Sequence, residues 1–138
     1  MGLWATKLSV WTKGFEAGTP VITLEGDTEP LREWTGLPEG WKEYDLIFLH
    51  THVHARKGCE GDGIREGIGY WYATGAILFT GANKGRWEKA LRGTTIEQND
   101  DWWINEMWEK GELRVGKLCR PYFRQHTDHE STIREGED

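Results

Sequence analysis

Residues 43–55, EYDLIFLHTHVHA, predict a β-strand, because side chains of similar character recur at every second position. The first half of the segment is apolar on both faces, which indicates that it lies in the middle of a sheet. The second half carries histidines on one face only. The two predicted faces are Ile47, Leu49, Thr51, Val53 and Ala55 on one side, and Leu46, Phe48, His50, His52 and His54 on the other.

Strand and helix patterns alternate through the rest of the chain. Segments rich in β-branched and aromatic residues predict four further strands. A proline at a first helical position, a capping box and amphipathic spacing predict three helices, and the glycine-rich residues 57–69 predict a loop. The further predicted strands are 3–12, 20–25, 70–80 and 112–124, and the predicted helices are a short one opening at Glu29-Pro30, 83–92 and 95–110.

This order of elements predicts an α+β fold with a mostly antiparallel sheet of about five strands and two to three helices. At 138 residues, the chain has material for one hydrophobic core. We therefore expect a single compact domain over residues 1–127. Residues 128–138 are acidic and polar, and we expect them to extend from this domain as a mobile tail.

The charge balance limits the partners of this chain. It carries 17 Lys and Arg against 23 Asp and Glu, a formal net charge of −6. Long-range attraction to phosphate needs the opposite sign, so neither bulk nucleic-acid binding nor binding to a membrane is expected. No apolar run is long enough for a signal peptide or a membrane span. The two cysteines, Cys59 and Cys119, are too few for a disulfide framework, and neither is in a CxxC pair. Together with the absence of a signal-peptide pattern, this predicts a cytoplasmic location with reduced thiols.

Three histidines at alternate positions form the strongest chemical pattern in the chain. On a strand, neighbouring members of this trio lie about 7 Å apart at Cα, so two of them can bind one metal ion together with a carboxylate. We predict a divalent Zn, Mn or Fe ion on His50, His52 and Asp62, with Glu60, Asp62 and His54 as catalytic residues that transfer protons. The alternatives are a histidine-lined pocket without metal and a polar, half-exposed sheet face.

A second candidate site lies on the last predicted strand, 112–124. Arginine side chains bind phosphate and carboxylate oxygens through paired hydrogen bonds, and three arginines and a tyrosine share one face of this strand by period-2 counting. The alternative is an edge strand whose charges prevent aggregation. The predicted residues binding a small anionic ligand are Arg114, Arg120, Tyr122, Arg124, Trp71 and His126.

Nine tryptophans are too many for a domain of this size to bury completely. The amphipathic stripe of the last predicted helix is expected in the core, whereas tryptophans in or beside loops are expected to form exposed stacking surfaces. The predicted core stripe is Ile96, Trp103, Ile104, Met107 and Trp108. The tryptophans predicted to be exposed are Trp34, Trp41, Trp71 and Trp102.

These patterns support two functions of different classes. The first is a small metal-dependent enzyme, a hydrolase acting on an anionic phosphoester or nucleotide-like substrate. The second is a non-catalytic binding protein that sequesters a nucleotide or a sugar, of the kind found as accessory proteins of phages and mobile elements. A carboxylate close to a histidine nitrogen favours the enzyme, and a closed apolar wall over the histidines favours the binding protein. Exposed aromatic residues and an edge strand also predict a homodimer.

Overall fold

The computed structural model describes residues 2–52, 61, 63–66, 75–92 and 100–125. Within these ranges, three α-helices, a short 3₁₀ helix and eight strands form an α+β fold, as predicted. The helices are α1 (Gly2–Ala17), α2 (Lys84–Arg92) and α3 (Asp100–Glu109), and the 3₁₀ helix is Trp41–Glu43. The strands are β1 (Val21–Leu24), β2 (Thr28–Pro30), β3 (Leu46–Phe48), β4 (His50–His52), β5 (Ile64–Glu66), β6 (Ala76–Phe79), β7 (Val115–Leu118) and β8 (Phe123–Gln125).

The larger of two sheets contains five strands in the order β1-β6-β3-β7-β5. Strand β3 lies at its centre, where Ile47 is opposite Leu78 of β6 and Gly116 of β7. The β3–β7 pair is parallel, and the other pairs in this sheet are antiparallel. The central position predicted for the first half of residues 43–55 is therefore confirmed.

The smaller sheet contains β2, β8 and β4 in that order, with β4 parallel to β8. The chain passes from the larger sheet to the smaller one at Leu49. The Leu49 amide donates to the carbonyl of Ala76, and its own carbonyl accepts from the amides of Tyr122 and Phe123. The prediction of one continuous strand over residues 43–55 is therefore wrong, because side-chain alternation does not reveal a change of pairing partner.

The N-terminal segment is helix α1, not the strand predicted for residues 3–12. Leu8, Trp11 and Phe15 recur with the period of a helix, so they lie on one side of it. Trp11 is completely buried in the core, and the other two pack against that core. The strand prediction is wrong because it followed the aromatic and β-branched composition of the segment rather than this spacing.

Three other elements differ from the predicted ones. Glu29 and Pro30 belong to strand β2 rather than to a helix, since proline is also compatible with an edge strand. Ile64–Glu66 is a strand within the predicted loop, too short for its period to show in a glycine-rich stretch. The predicted strand 112–124 divides into β7 and β8, which belong to different sheets.

The remaining predicted elements agree with the structure where it describes them. Asn83 caps α2, because its Oδ1 accepts a hydrogen bond of 2.8 Å from the amide of Arg86. Ile96 of the predicted core stripe and the tail at 128–138 lie outside the described residues. None of the helices in the described ranges has the length and apolar character needed to cross a membrane. Elements β1, β6, α2 and α3 lie within the predicted segments 20–25, 70–80, 83–92 and 95–110.

The main core fills the space between the helices and one face of the larger sheet. The ring of Trp87 meets those of Trp11 and Trp103 edge-to-face, with centroids 6.2 and 6.3 Å apart. Phe79 packs against Trp11 and Trp87, with centroids 5.8 and 4.6 Å apart. The core position predicted for the α3 stripe is confirmed for its described members. These members are Trp103, Ile104, Met107 and Trp108, the last of them partly buried.

A second apolar cluster covers the opposite face of the larger sheet and joins it to the smaller sheet. Gly116 of β7 is essential to its packing, because a Cβ there would lie 2.5 Å from Cγ2 of Ile64 and 3.0 Å from the ring of Tyr44. The absence of a side chain lets Ile64 and the Tyr44 ring approach β7 closely. The buried members of the cluster are Tyr44, Ile47, Leu49, Ala76, Leu78, Leu118 and Tyr122.

The cysteine prediction is corrected by the structure. Cys119, which directly follows β7, is disulfide-bonded, so the expectation of reduced thiols is wrong. Cysteine spacing along a chain does not reveal which sulfur atoms come close in the fold, and this explains the error.

Candidate functional site

His50, the first residue of β4, is almost completely buried, with 5% of its surface exposed. Its ring stacks on that of Phe48, with 5.5 Å between ring centroids. Its Nδ1 lies 3.1 Å from the carbonyl oxygen of Ala76 and 3.2 Å from the amide nitrogen of the same residue, so it donates to the first or accepts from the second according to its tautomer. Because Nδ1 is engaged by the main chain, a metal ion at His50 would bind Nε2.

The other predicted metal ligands are only partly described. His52 is the last residue of β4. Asp62, Glu60 and His54, which we predicted to act in metal binding or catalysis, lie outside the described residues. In the part of the chain that the structure describes, no group of three or more His, Cys, Asp or Glu is placed to hold a metal ion. The metal site on His50, His52 and Asp62 therefore stays a prediction.

The predicted arginine stripe does not form one face, because its residues divide between two sheets. The guanidinium of Arg114, just before β7, donates to both carboxylate oxygens of Glu66 at 2.6 and 3.2 Å. These hydrogen bonds lower the pKa of the Glu66 carboxyl. Arg124 lies in β8 and forms an ion pair with Glu29. Both arginines therefore already have acidic partners, and an anionic ligand would have to compete with these partners.

Tyr122 lies where the two sheets meet and is 4% exposed. The guanidinium carbon of Arg32 lies 3.7 Å from the centre of its ring. Arg32 also donates to the carbonyl oxygens of Arg120 at 2.6 Å and Pro121 at 3.3 Å, and the Tyr122 hydroxyl lies 2.6 Å from Oγ1 of Thr35. Burial raises the pKa of Tyr122, but hydrogen bonds with Thr35 and the charge of Arg32 outweigh burial and lower it overall.

Trp34 lies between Arg32 and Thr35 in the chain and is 41% exposed. The centroid of its ring is 4.7 Å from that of Tyr122. Leu31 and Leu37, on the same loop, are 47% and 41% exposed. We define this group of residues as the Trp34 surface. It consists of Leu31, Arg32, Trp34, Leu37 and Tyr122.

The structure tests three of the four tryptophans predicted to be exposed. The prediction is confirmed for Trp34 and for Trp102, which is 71% exposed on α3. Trp41 is half-buried and packs against the second apolar cluster. Trp71 lies outside the described residues, as does His126 of the predicted ligand-binding set.

Lys117 is a candidate that the sequence prediction missed. It is 6% exposed, and in the strand register it is opposite Phe48 of β3 and Arg65 of β5. Burial lowers the pKa of Lys117, and the charge of Arg65 lowers it further. Among the described residues, no carboxylate or other acceptor pairs with its amine. The sequence feature that could have indicated this candidate is a single lysine within the strand sequence VGKL.

Asp45 forms a buried ion pair at the end of the larger sheet where β3 and β7 begin. It is 2% exposed, and its Oδ2 accepts hydrogen bonds from Nε of Arg86 at 2.7 Å and from the amide of Arg114 at 2.8 Å. Burial raises the pKa of Asp45 despite these contacts. Because Arg86 lies in α2, the pair connects that helix to the sheet, and we assign it a structural role.

A cavity of about 620 Å³ lies between α1 and α2. Phe15 and Gly81 form part of its wall. The charged groups in the lining are the carboxylates of Glu16 and Glu88 and the amine of Lys84. Acids outnumber bases in this lining, so the cavity does not suit the predicted anionic ligand.

The two candidate regions with described geometry are the Trp34 surface and the region around Phe48, on which His50 stacks and opposite which Lys117 lies. A function is therefore assigned from the side chains in these two regions. A comparison of the chain with protein families, with curated proteins and with solved structures finds no match.

Proposed function

We propose that this protein binds a small ligand that combines an aromatic ring with an anionic group, such as a nucleotide, on the Trp34 surface. The observation that carries this proposal is the exposed ring of Trp34 beside Tyr122 and Arg32. The proposal belongs to the class of non-catalytic binding proteins, since the described residues of this surface include an aromatic platform and a cation rather than a nucleophile and a base.

Stacking on Trp34 would supply much of the affinity. An indole face stacks on a nucleobase with a contribution of about 1–3 kcal/mol. The side chain of Arg32 donates to the carbonyls of Arg120 and Pro121, and the amide and hydroxyl of Thr35 contact the Tyr122 hydroxyl, so residues on both sides of Trp34 are anchored. An anchored platform loses little conformational entropy when a ligand binds.

The anionic group of the ligand would be bound by arginine. Arg32 donates to the main chain of Arg120, which places these two residues side by side, and Arg120 is exposed. Guanidinium groups bind phosphate oxygens through charge-assisted hydrogen bonds. At Arg124, a ligand would have to displace Glu29.

Alanine substitution of Trp34 tests the proposal. We expect adenosine monophosphate to bind the native protein in isothermal titration calorimetry, and W34A to raise its dissociation constant by about 10-fold because the stacking surface is lost. The matched control is W102A, which removes a tryptophan that is more exposed but distant in the chain. Thermal unfolding of both variants checks that they fold.

Two outcomes would contradict this proposal. One is that neither adenosine monophosphate nor a simple sugar such as glucose binds the native protein. The other is that W34A binds as tightly as W102A. If glucose binds, adenosine monophosphate does not, and W34A weakens the binding of glucose, then the proposal retains the stacking surface. In that case the anionic group of the ligand is dropped from the proposal.

A metal-dependent hydrolase is the second candidate function, favoured by the presence of His50 and His52 two residues apart on one strand. In this proposal a divalent Zn, Mn or Fe ion is held by these histidines and Asp62, with Glu60 and His54 transferring protons. When bound, the metal would supply Lewis acidity toward an anionic phosphoester substrate. Nε2 is the nitrogen that His50 would contribute, since Nδ1 contacts Ala76.

Elemental mass spectrometry of the untagged protein tests the hydrolase proposal. We expect about one metal ion per chain in the native protein and a loss of most of it in H52A, because two histidines are needed to hold the ion. H52N serves as a second variant with a side chain of similar polarity. A native protein without metal, whose unfolding temperature does not respond to a chelator, would exclude this function.

A further inference from the structure

We infer that Lys117 and Arg65 form a binding site for a small oxyanion, a phosphate or a carboxylate group, at the edge of the larger sheet. The two residues are directly opposite each other on β7 and β5. Directly opposite residues of antiparallel strands have their side chains on the same face, with Cβ atoms about 5 Å apart. The face is that of Phe48, which is opposite Lys117 on the other side and belongs to the main core.

Two cations in this arrangement are unfavourable without an anion. Like charges directly opposite in a sheet repel each other, and burial of the Lys117 side chain removes part of the hydration of its amine. The other two buried charged residues in the described ranges have counter-ions: Lys7 pairs with Glu25, and Asp45 pairs with Arg86. Lys117 has no such partner among the residues that the structure describes.

The surroundings of Lys117 would strengthen its interaction with a bound anion. Phe48 lies on one side, and Val115, two residues away on the same face of β7, is completely buried. In such a weakly polar environment the attraction between opposite charges is less screened than in water. Arg65 is exposed at the edge of the sheet, where it can contact an anion that enters from solvent.

The protonation of Lys117 agrees with this role. Burial and the charge of Arg65 both lower the pKa of its amine, so the unliganded site disfavours the charged form. A bound oxyanion adds an opposite charge and favours the ammonium, which can then donate up to three hydrogen bonds.

This site is independent of the Trp34 surface. Tyr122 belongs to the cluster on the opposite face of the larger sheet, whereas Lys117 lies on the side of the main core. Substitutions at Lys117 and at Trp34 therefore test different sites, and the failure of one proposal leaves the other intact.

The test measures the unfolding temperature of the full chain while phosphate, or in a second series acetate, replaces chloride at constant ionic strength. We expect the unfolding temperature of the native protein to rise with one of these anions, because a ligand that binds the folded state stabilises it. In K117M this rise should be lost, and in R65Q it should be at least halved. The control K84M removes an exposed lysine of α2 and should keep the full rise.

A second measurement uses the same variants without added oxyanion. K117M should unfold at a higher temperature than the native protein, because methionine fills a similar volume without an unpaired charge. The proposal is overturned if neither anion stabilises the native protein more than chloride does, or if K117M keeps the full rise. If K117M does not fold, an unchanged response in R65Q overturns it equally.

Discussion

Asp45 and Lys117 show how differently two buried charges can be accommodated in one sheet. The carboxylate of Asp45 is contacted by Arg86 and by the amide of Arg114, so its charge is partly compensated within the fold. The amine of Lys117 has Phe48 and Arg65 opposite it, neither of which can compensate its charge. The charge of Asp45 is therefore explained by contacts within the fold, whereas that of Lys117 is better explained by a ligand.

Removal of the Arg86 guanidinium should destabilise the protein in a pH-dependent way. Burial holds the pKa of Asp45 above its ordinary value, so the stabilisation from this group is fully present below the pKa of the unfolded chain and is lost as pH rises through the folded-state pKa. R86Q raises that pKa further, because a favourable charge is gone. We expect R86Q to lower the free energy of unfolding by about 2 kcal/mol at pH 7 and by clearly less at pH 4.

Urea denaturation of the native protein and R86Q at both pH values measures this difference. The control is K89Q, which removes an exposed charge from the same helix and should change the free energy of unfolding by about 0.5 kcal/mol or less at either pH. An equal loss for R86Q at pH 4 and pH 7 would show that Arg86 acts through packing rather than through the charge of Asp45.

At the level of elements, prediction from the sequence succeeded where the spacing of apolar residues agreed with the position of the segment in the fold. Helices α2 and α3 and strand β6 have clear patterns, and the apolar stretch around Ile47 is central in the sheet as expected. Helix α1 was mistaken for a strand, because composition outweighed the helical spacing of Leu8, Trp11 and Phe15. Strands β3 and β4 were merged, since their separation depends on hydrogen bonds to distant segments.

The candidate sites were only partly predictable for the same reason. Exposure of Trp34 followed from its position beside a predicted loop, but its contact with Tyr122 depends on the docking of two segments that are far apart in the chain. For the same reason, the sequence did not predict Arg32 as part of this site. Burial of Lys117 depends on the strands placed on both sides of β7, and no local pattern around one lysine indicates those neighbours.

At the level of the whole molecule, the larger sheet carries apolar clusters on both faces, and its ends differ in chemistry. The end where β3 and β7 begin holds the Asp45 ion pair, which is partly compensated and structural. The end where these parallel strands finish holds His50, Lys117 and the disulfide-bonded Cys119. In open α/β sheets, ligands bind outside the carboxyl ends of parallel strands. The proposed oxyanion site and the predicted metal site would both use the comparable end of the single parallel pair in this sheet, β3 and β7.

The disulfide of Cys119 should stabilise the whole fold, because a covalent cross-link limits the conformations of the unfolded chain. We expect a thiol reductant to lower the unfolding temperature of the native protein by roughly 5–15 °C, which corresponds to about 2–4 kcal/mol. C119S should unfold at the temperature of the reduced native protein and should not respond to the reductant, which separates loss of the bond from other effects of the reagent. Differential scanning calorimetry with and without reductant measures both proteins. If the native protein unfolds at the same temperature in both conditions, the bond contributes nothing to stability. The carboxyl end of β7 would then be held by its hydrogen bonds alone, such as that from the Cys119 amide to the carbonyl of Gly63.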